Sequence, residues 1–167
     1  MVVGDFAIDL DTVVVGAGPG GYVAAIHAAE LGQKVTVIER EYIGGVCLNV
    51  GCIPSKALIE AAHHYQHAMD SQEMGLQVTA AKLDFDKTIE WKNNVVARLT
   101  GGVASLFKKH KIDVIWGNAY LKDSHSLRVI SDDDKAQTYT FNNLIIATGS
   151  HPIEIPNFKF EGRVLDS

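Results

Sequence analysis

Two cysteines, Cys47 and Cys52, are the only thiols in this sequence of 167 residues, and they lie five positions apart. In a regular α-helix, at about 100° per residue, this spacing turns the side chains roughly 140° apart, so a disulfide between them needs a local distortion. Gly51 and Asn49 lie between them and tolerate one. A helix beginning near Pro54 would favour a thiolate at Cys52, because a helix N-terminus carries partial positive charge. We interpret the cysteines as a redox-reactive pair.

Two other interpretations of the cysteines compete with this one. A zinc site would need two more ligands, and the nearby His63, His64 and His67 do not match the common four-ligand spacings. Inert buried thiols are commoner in general, but a glycine-flanked loop that opens a helix is an unusual place for them. His63 and His67 lie one helical turn apart, where a solvated helix face is expected. No metal site is therefore predicted.

A second chemistry-bearing motif is a glycine-rich turn over residues 16–21. Gly16, Gly18 and Gly21 form the pattern G-x-G-x-x-G, whose glycines permit in turn a tight bend, the close approach of a pyrophosphate, and close packing of helix on strand. The helix N-terminus favours the phosphate charge. Glu39 ends the next predicted strand, where a carboxylate can accept hydrogen bonds from a ribose. The pattern alone could be only a strand-to-helix turn, but this context favours a dinucleotide site, either NAD or FAD.

Hydrophobic patterning predicts the elements that position these motifs. Buried strands alternate with amphipathic helices, which indicates an α/β fold with a parallel sheet. The longest helix pattern resumes beyond Gly101 and Gly102, which favours a continuous helix with a bend. The predicted strands are 11–15, 35–38, 112–116 and 144–147; the helices are 22–31, 55–69 and 85–109; 39–50 is a loop and 119–141 a β-meander.

Composition indicates the class of the chain. A hydrophobic content of 47% allows one sizeable core, so we expect a domain over residues 1–150, and Pro152 and Pro156 mark a linker over 151–167. The 15 basic and 20 acidic residues are scattered, which argues against nucleic acid as a partner. The N-terminus shows no secretory signal, and the apolar runs are far shorter than the roughly 20 residues that span a bilayer. A soluble, cytoplasmic chain without a membrane partner is expected.

The segment from Gly44 to Lys56, GGVCLNVGCIPSK, resembles the redox signature of the pyridine nucleotide-disulfide oxidoreductases, above all of the members that oxidise dihydrolipoamide. The glycine turn, Glu39 and the strand end at residues 147–150 follow in the family's order, so the resemblance covers essentially the whole chain. It implies a Rossmann-like FAD-binding domain with a parallel sheet, flanking helices and a β-meander.

The resemblance also implies an activity and its partners. Dihydrolipoamide on an acyltransferase lipoyl domain, within a 2-oxo acid dehydrogenase complex, would be oxidised through Cys47 and Cys52, with FAD and then NAD as electron acceptors. Family members add an NAD domain, a second stretch of the FAD domain and an interface domain with a catalytic histidine-glutamate pair, and they form homodimers. These parts are not recognised here, so the chain would be the FAD and disulfide portion, inactive by itself. A non-catalytic flavin-binding fragment and a sibling reductase for another disulfide are the alternatives.

The resemblance assigns roles by position. Cys47 would be the interchange thiol, and Cys52 would face the isoalloxazine as the charge-transfer thiolate. Val46 stands where a threonine is often found, which removes a hydroxyl contact. The implied cofactor contacts are Gly16, Gly18 and Gly21 with the pyrophosphate, Glu39 with the adenosine ribose, Gly45, Val46, Cys52 and Lys56 with the flavin, Gly117 and Ala119 with adenine, Thr148, Gly149 and Ser150 at a further FAD-contacting turn, and also Pro19, Gly20, Arg40 and Gly44.

Overall fold

The computed structural model describes residues 6–164 and residue 166, with residues 72 and 73 described in their backbone alone. Residues 1–5, 165 and 167 lie outside this range. The domain expected over 1–150 therefore begins outside the described residues, and the linker expected over 151–167 ends outside them. Within 151–164 no helix or strand forms beyond an isolated bridge between Ile155 and Phe158.

The predicted βαβ unit is confirmed. It consists of β1 (Ile8–Val15), α1 (Pro19–Glu30) and β2 (Val35–Glu39), and β1 pairs with β2 in parallel. Pro19 is the first helical residue, where its missing N–H would have no partner in any case. The helix therefore starts three residues before the predicted position, directly at the end of the glycine turn.

The redox segment differs from the predicted loop over 39–50. Glu39 belongs to β2, and a short helix, α2 (Gly45–Asn49), precedes α3 (Cys52–Asp70). Gly44 enters α2 with a positive φ of 97°, a conformation that glycine adopts without strain. The third helix begins at Cys52 rather than after Pro54, because Pro54 still lies in the first turn, where no intrahelical N–H donor is required.

A long helix follows a 3₁₀ turn (Ser71–Met74) and a connection without regular structure. α4 (Phe85–Lys109) has the predicted bounds and passes without interruption through Gly101 and Gly102. The Asp84 carboxylate accepts a hydrogen bond from the backbone N–H of Lys87 and so caps the helix. Beyond α4 the chain enters the sheet again.

Four more strands follow in the described part of the chain: β3 (Asp113–Trp116), β4 (Asn118–Leu121), β5 (Ser126–Ile130) and β6 (Ala136–Ile146). Together with β1 and β2 they form one six-stranded sheet in the order β3-β2-β1-β6-β5-β4. The predicted meander and the predicted closing strand at 144–147 are not separate, because one strand of 11 residues serves both. Its first part pairs antiparallel with β5 and its second part pairs in parallel with β1.

Two apolar clusters cover the faces of the sheet. Val14 and Val37 pack with Val103 and Phe107 of α4 on one face. The residue next to Val14, Val13, lies on the other face, because successive side chains of a strand alternate. There it packs with Ile38, Leu127, Val129 and Phe141. Among the described residues no helix is both long enough and apolar enough to cross a membrane.

Candidate functional site

A cleft of about 460 Å³ opens where the carboxyl ends of the parallel strands meet the N-terminus of α1. This edge of a parallel sheet is where ligands bind in open α/β folds. The glycine turn, the end of β2, both cysteines and the end of β6 contribute to it. The lining residues are Gly16, Gly18, Pro19, Glu39, Arg40, Glu41, Tyr42, Gly45, Val46, Cys47, Gly51, Cys52, Ser55, Ala147, Thr148, Gly149 and Ser150.

The three motif glycines are required for different reasons. A Cβ on Gly16 would lie 2.3 Å from the carbonyl oxygen of Ala147, and one on Gly21 would lie 1.8 Å from that of Gly16. The packing of the chain itself therefore excludes side chains at both positions. A Cβ on Gly18 would meet only the Cα of Gly45, at an ordinary 3.8 Å. Glycine at position 18 instead keeps space free in the cleft, which suits the close approach of a pyrophosphate at a helix N-terminus.

Glu39 ties the glycine turn to the end of β2. Its buried carboxylate accepts three backbone N–H groups, from Ala17 at 2.6 Å, Arg40 at 2.9 Å and Glu41 at 2.8 Å. A carboxylate offers about four lone pairs, so one more donor can be accepted. Since Glu39 lines the cleft, a ribose hydroxyl fits this remaining capacity.

A smaller cavity of about 130 Å³ adjoins the cleft and shares Gly16, Glu39, Arg40 and Thr148 with it. Its wall includes Gly117 and Ala119, the two residues for which the family resemblance implies contact with an adenine. The two cavities thus form one extended groove around the end of β2. This shape suits an elongated ligand better than a compact one.

The cysteines meet at the break between α2 and α3. Gly51 has φ −110° and ψ −104°, which are not helical values, and α2 ends before it. The local distortion that a disulfide needs is therefore present between the two cysteines. Both thiols are free, with Cys47 half-buried and Cys52 exposed as the first residue of α3. The pKa of Cys47 is raised, first by the hydrogen bond of its thiol with Cys52 and then by burial. The two cysteines line the same cleft. Asn49 does not adopt a left-handed backbone conformation. It contributes instead through two hydrogen bonds of its side-chain amide.

Four residues assigned to cofactor contacts from the sequence do not line either cavity: Gly20, Gly21, Gly44 and Lys56. Gly44 lies against Leu48, and its N–H donates to the Ala17 carbonyl oxygen at 2.8 Å. The Lys56 ammonium lowers the pKa of Cys47, opposing the effects that raise it.

The structure adds lining residues that the sequence reasoning missed. Ser55 lies one turn after Cys52 on α3, so helical periodicity could have identified it. Tyr42 lies in a loop without any local signal, and its pKa is raised by partial burial and then by the Glu41 carboxylate. The others are Val15, Glu41, Gly51, Asn118 and Ala147.

The histidines and tryptophans stand apart from this cleft. His63 and His67 are exposed and stack with ring centroids 6.2 Å apart. No three His, Cys, Asp or Glu side chains among the described residues are grouped so as to hold a metal ion. Trp91 is 44% exposed and Trp116 is 48% exposed, so neither side chain is buried in the core of this chain.

Comparison with known proteins decides the family. The profile described as "Pyridine nucleotide-disulphide oxidoreductase" matches residues 10–167, nearly the whole chain. The chain belongs to this family. The Rossmann-like α/β fold expected from the resemblance is confirmed by the six-stranded sheet with its flanking helices.

Similar family members include proteins named dihydrolipoyl dehydrogenase. The chain is 64% identical to that of Bacillus subtilis (strain 168) and 62% identical to that of Geobacillus stearothermophilus, in both cases over the whole chain and 35% of the relative. The protein from Halobacterium salinarum is 46% identical, again over the whole chain and 36% of the relative. The chain thus spans about a third of the length of these relatives.

A solved structure of a disulfide reductase has the same fold. It is the Cu(II) complex of the HOCl-induced flavoprotein disulfide reductase RclA from Escherichia coli, with a TM-score of 0.73 and 29% identity. The match covers 89% of this chain and 30% of that chain. This flavoprotein disulfide reductase therefore shares the fold described here over 89% of the chain.

Proposed function

We propose that this chain is the FAD-binding and redox-disulfide portion of a dihydrolipoyl dehydrogenase. The observation that carries the proposal is that Cys47 and Cys52 lie in the wall of the same cleft as the glycine turn. A redox pair and a dinucleotide-binding turn in one cleft suit electron transfer between a dithiol and a bound flavin. The names of the relatives at 62% and 64% identity support the choice of dithiol.

FAD fits the extended groove. Gly16, Gly18, Pro19, Gly20 and Gly21 form the turn at which its pyrophosphate would bind, and Glu39 would accept a ribose hydroxyl, with Arg40 beside it. Gly117 and Ala119 would lie by the adenine, and Thr148, Gly149 and Ser150 would contact FAD at the end of β6. Gly44, Gly45, Val46, Cys52 and Lys56 would form the flavin end of the site. FAD, when bound, would accept an electron pair from the thiols and pass it to NAD.

The thiols perform the exchange with substrate. Oxidation of dihydrolipoamide closes the disulfide of lipoamide while the Cys47–Cys52 disulfide opens, so two electrons and two protons move from substrate to protein. Cys47 would be the interchange thiol, and Cys52, as the first residue of α3, would be the thiolate that faces the flavin. The N-terminus of that helix stabilises negative charge on its first residues.

The substrate and partners of the whole protein follow from the same proposal. Dihydrolipoamide carried on an acyltransferase lipoyl domain would be oxidised within a 2-oxo acid dehydrogenase complex, by a homodimer. Support comes from the names of the relatives, of which this chain covers about a third. A cytoplasmic location belongs to this proposal as well.

Two measurements test the proposal. The purified chain is mixed with FAD, freed of unbound flavin, and its absorption spectrum is recorded, with a near-equimolar flavin band expected. In the full-length protein, Cys47→Ser and Cys52→Ser are each expected to abolish lipoamide-dependent oxidation of NADH. Unchanged turnover in either variant would show that the role assignment is wrong.

A second candidate is a flavin-binding module that performs no turnover by itself. It is favoured by the coverage, because the chain spans about a third of the dihydrolipoyl dehydrogenases it matches. Clear activity of the isolated chain in a lipoamide-dependent NADH assay would exclude this candidate. A related candidate is a sibling reductase for another disulfide, which the likeness to RclA suggests. It is tested by comparing lipoamide with glutathione disulfide as substrates of the full-length protein.

A further inference from the structure

The helix that carries Cys47 has only five residues, Gly45–Asn49. Isolated helices shorter than about 12 residues are marginal in water, so contacts outside the helix must hold α2 in place. Leu48 provides one, because it is buried in the main apolar cluster. The other contacts are hydrogen bonds at the two ends of the helix.

Asn49, the last residue of this helix, makes the most informative of them. Its side-chain amide donates to the carbonyl oxygen of Ile43 at 3.0 Å and to that of Gly45 at 2.9 Å. An amide NH₂ has two hydrogens, so both are used. The two acceptors lie on either side of Gly44, and both Gly44 and Gly45 have positive φ. The side chain therefore closes the bend at which the chain enters the helix.

The exit from the helix is held differently. The backbone N–H groups of Val50 and Gly51 both donate to the carbonyl oxygen of Val46, at 3.0 and 2.7 Å. These bonds use main-chain atoms, so only a substitution by proline, which lacks the N–H, removes them directly. The Asn49 amide is the side-chain clamp on α2 that a near-isosteric substitution can remove.

We propose that Asn49 is a positioning residue for the redox pair, whose amide fixes α2 so that Cys47 is held in the same cleft wall as Cys52. The inference rests on the proposed function only in taking the two cysteines as a redox pair. Holding two thiols together raises their effective concentration, which favours the disulfide. In this oxidation each thiol loses one electron and one proton, and the S–S bond that forms is balanced by cleavage of one glutathione disulfide to two glutathione molecules.

The test measures the equilibrium between the dithiol and disulfide forms of the full chain in glutathione redox buffers, read by alkylation and mass spectrometry. Asn49→Leu keeps the approximate shape of the side chain and removes both donors. We expect it to lower the equilibrium constant for disulfide formation about tenfold, on the order of the contribution of one or two hydrogen bonds. Asn94→Leu, at an exposed position on α4, is the matched control and should leave the constant unchanged.

Thermal unfolding of each variant is recorded in parallel. A lower melting temperature for Asn49→Leu with an unchanged equilibrium constant would mean that Asn49 only stabilises the fold, and the proposal would be overturned. If Asn49→Leu does not fold, Asn49→Asp takes its place, since it is nearly isosteric and also lacks both donors. The readout requires no flavin, so failure of the chain to bind FAD would refute the proposed function without affecting this result.

Discussion

Gly45 and Gly18 touch through their backbones, at the point where the redox helix meets the glycine turn. A Cβ on Gly45 would lie 2.6 Å from the Cα of Gly18, closer than real contacts allow. Gly45 also has a φ of +57°, a conformation that residues with a side chain rarely adopt. The proposed flavin end and the proposed pyrophosphate end of the cleft are therefore joined through two residues without side chains.

Gly45→Ala should loosen this junction. The added methyl group meets the backbone of Gly18 and forces an unfavourable φ, so we expect a loss of about 2–4 kcal/mol in the free energy of unfolding, measured in urea. Gly101→Ala is the control, because Gly101 lies inside α4 and a methyl group added there would have nothing within 4 Å. It should gain about 0.5–1 kcal/mol, as alanine is the better helix former. Equal stabilities of the two variants would contradict the contact.

Two neighbouring glycines of the turn should differ in how well they tolerate an added methyl group. In Gly21→Ala the methyl group would meet the carbonyl oxygen of Gly16 at 1.8 Å, so we expect a loss of more than about 3 kcal/mol in unfolding free energy. In Gly20→Ala it meets only the Ala147 methyl group at 3.9 Å, and stability should stay within about 1 kcal/mol. Denaturant unfolding monitored by circular dichroism checks both. A tolerated Gly21→Ala would show that Gly21 does not lie against the Gly16 carbonyl oxygen as described.

Glu39→Gln should weaken the turn even in the absence of a ligand. An amide offers one acceptor oxygen where the carboxylate offers two, so at least one of the backbone N–H groups of Ala17, Arg40 and Glu41 loses its partner. We expect a loss of about 2–3 kcal/mol in unfolding free energy. Glu60→Gln removes a charge from an exposed carboxylate and should have no measurable effect. If both variants unfold alike, the carboxylate does not hold the turn.

The pH dependence of thiol alkylation follows from the raised pKa of Cys47. Iodoacetamide attacks the thiolate, so Cys47 in the reduced chain should react at a higher pH than an ordinary cysteine. Cys52→Ala removes the hydrogen bond that contributes most to the raised pKa of Cys47. The pKa of Cys47 should therefore fall, and its alkylation rate at mildly alkaline pH should rise severalfold. Lys56→Gln removes a charge that lowers this pKa, so the rate should fall. A pH profile of Cys47 that is the same in all three proteins would refute the assigned cause.

Elements with a strong local pattern were predicted well. The bounds of α4 agree to the residue, because its apolar residues recur with helical spacing over 25 positions and Asp84 caps it. The βαβ unit was identified as well, since a valine-rich strand and a glycine turn encode it locally. The signature around Cys47 and Cys52 indicated the family and its chemistry, and the match to residues 10–167 confirms that family.

Elements that depend on distant partners were not predicted. β6 is one strand rather than two because both of its parts find neighbours, β5 and β1, and β1 is remote in sequence. The helix α2 is too short to produce a period, and it forms because the Asn49 amide and buried Leu48 hold it. The presence of Tyr42 in the cleft likewise depends on where a loop lies in three dimensions.

The sequence by itself determined the kind of chemistry, because a redox cysteine pair and a dinucleotide turn are defined by residue types and short spacings. Only the tertiary structure decided why those residues are needed. It showed that Gly16 and Gly21 are required by packing and that Gly18 leaves space for a ligand. It also brought Cys47 and Cys52 into the cleft that Glu39 and the turn form. The physical reason is that the close approach of two segments depends on both of them, so the sequence of one segment alone does not predict it.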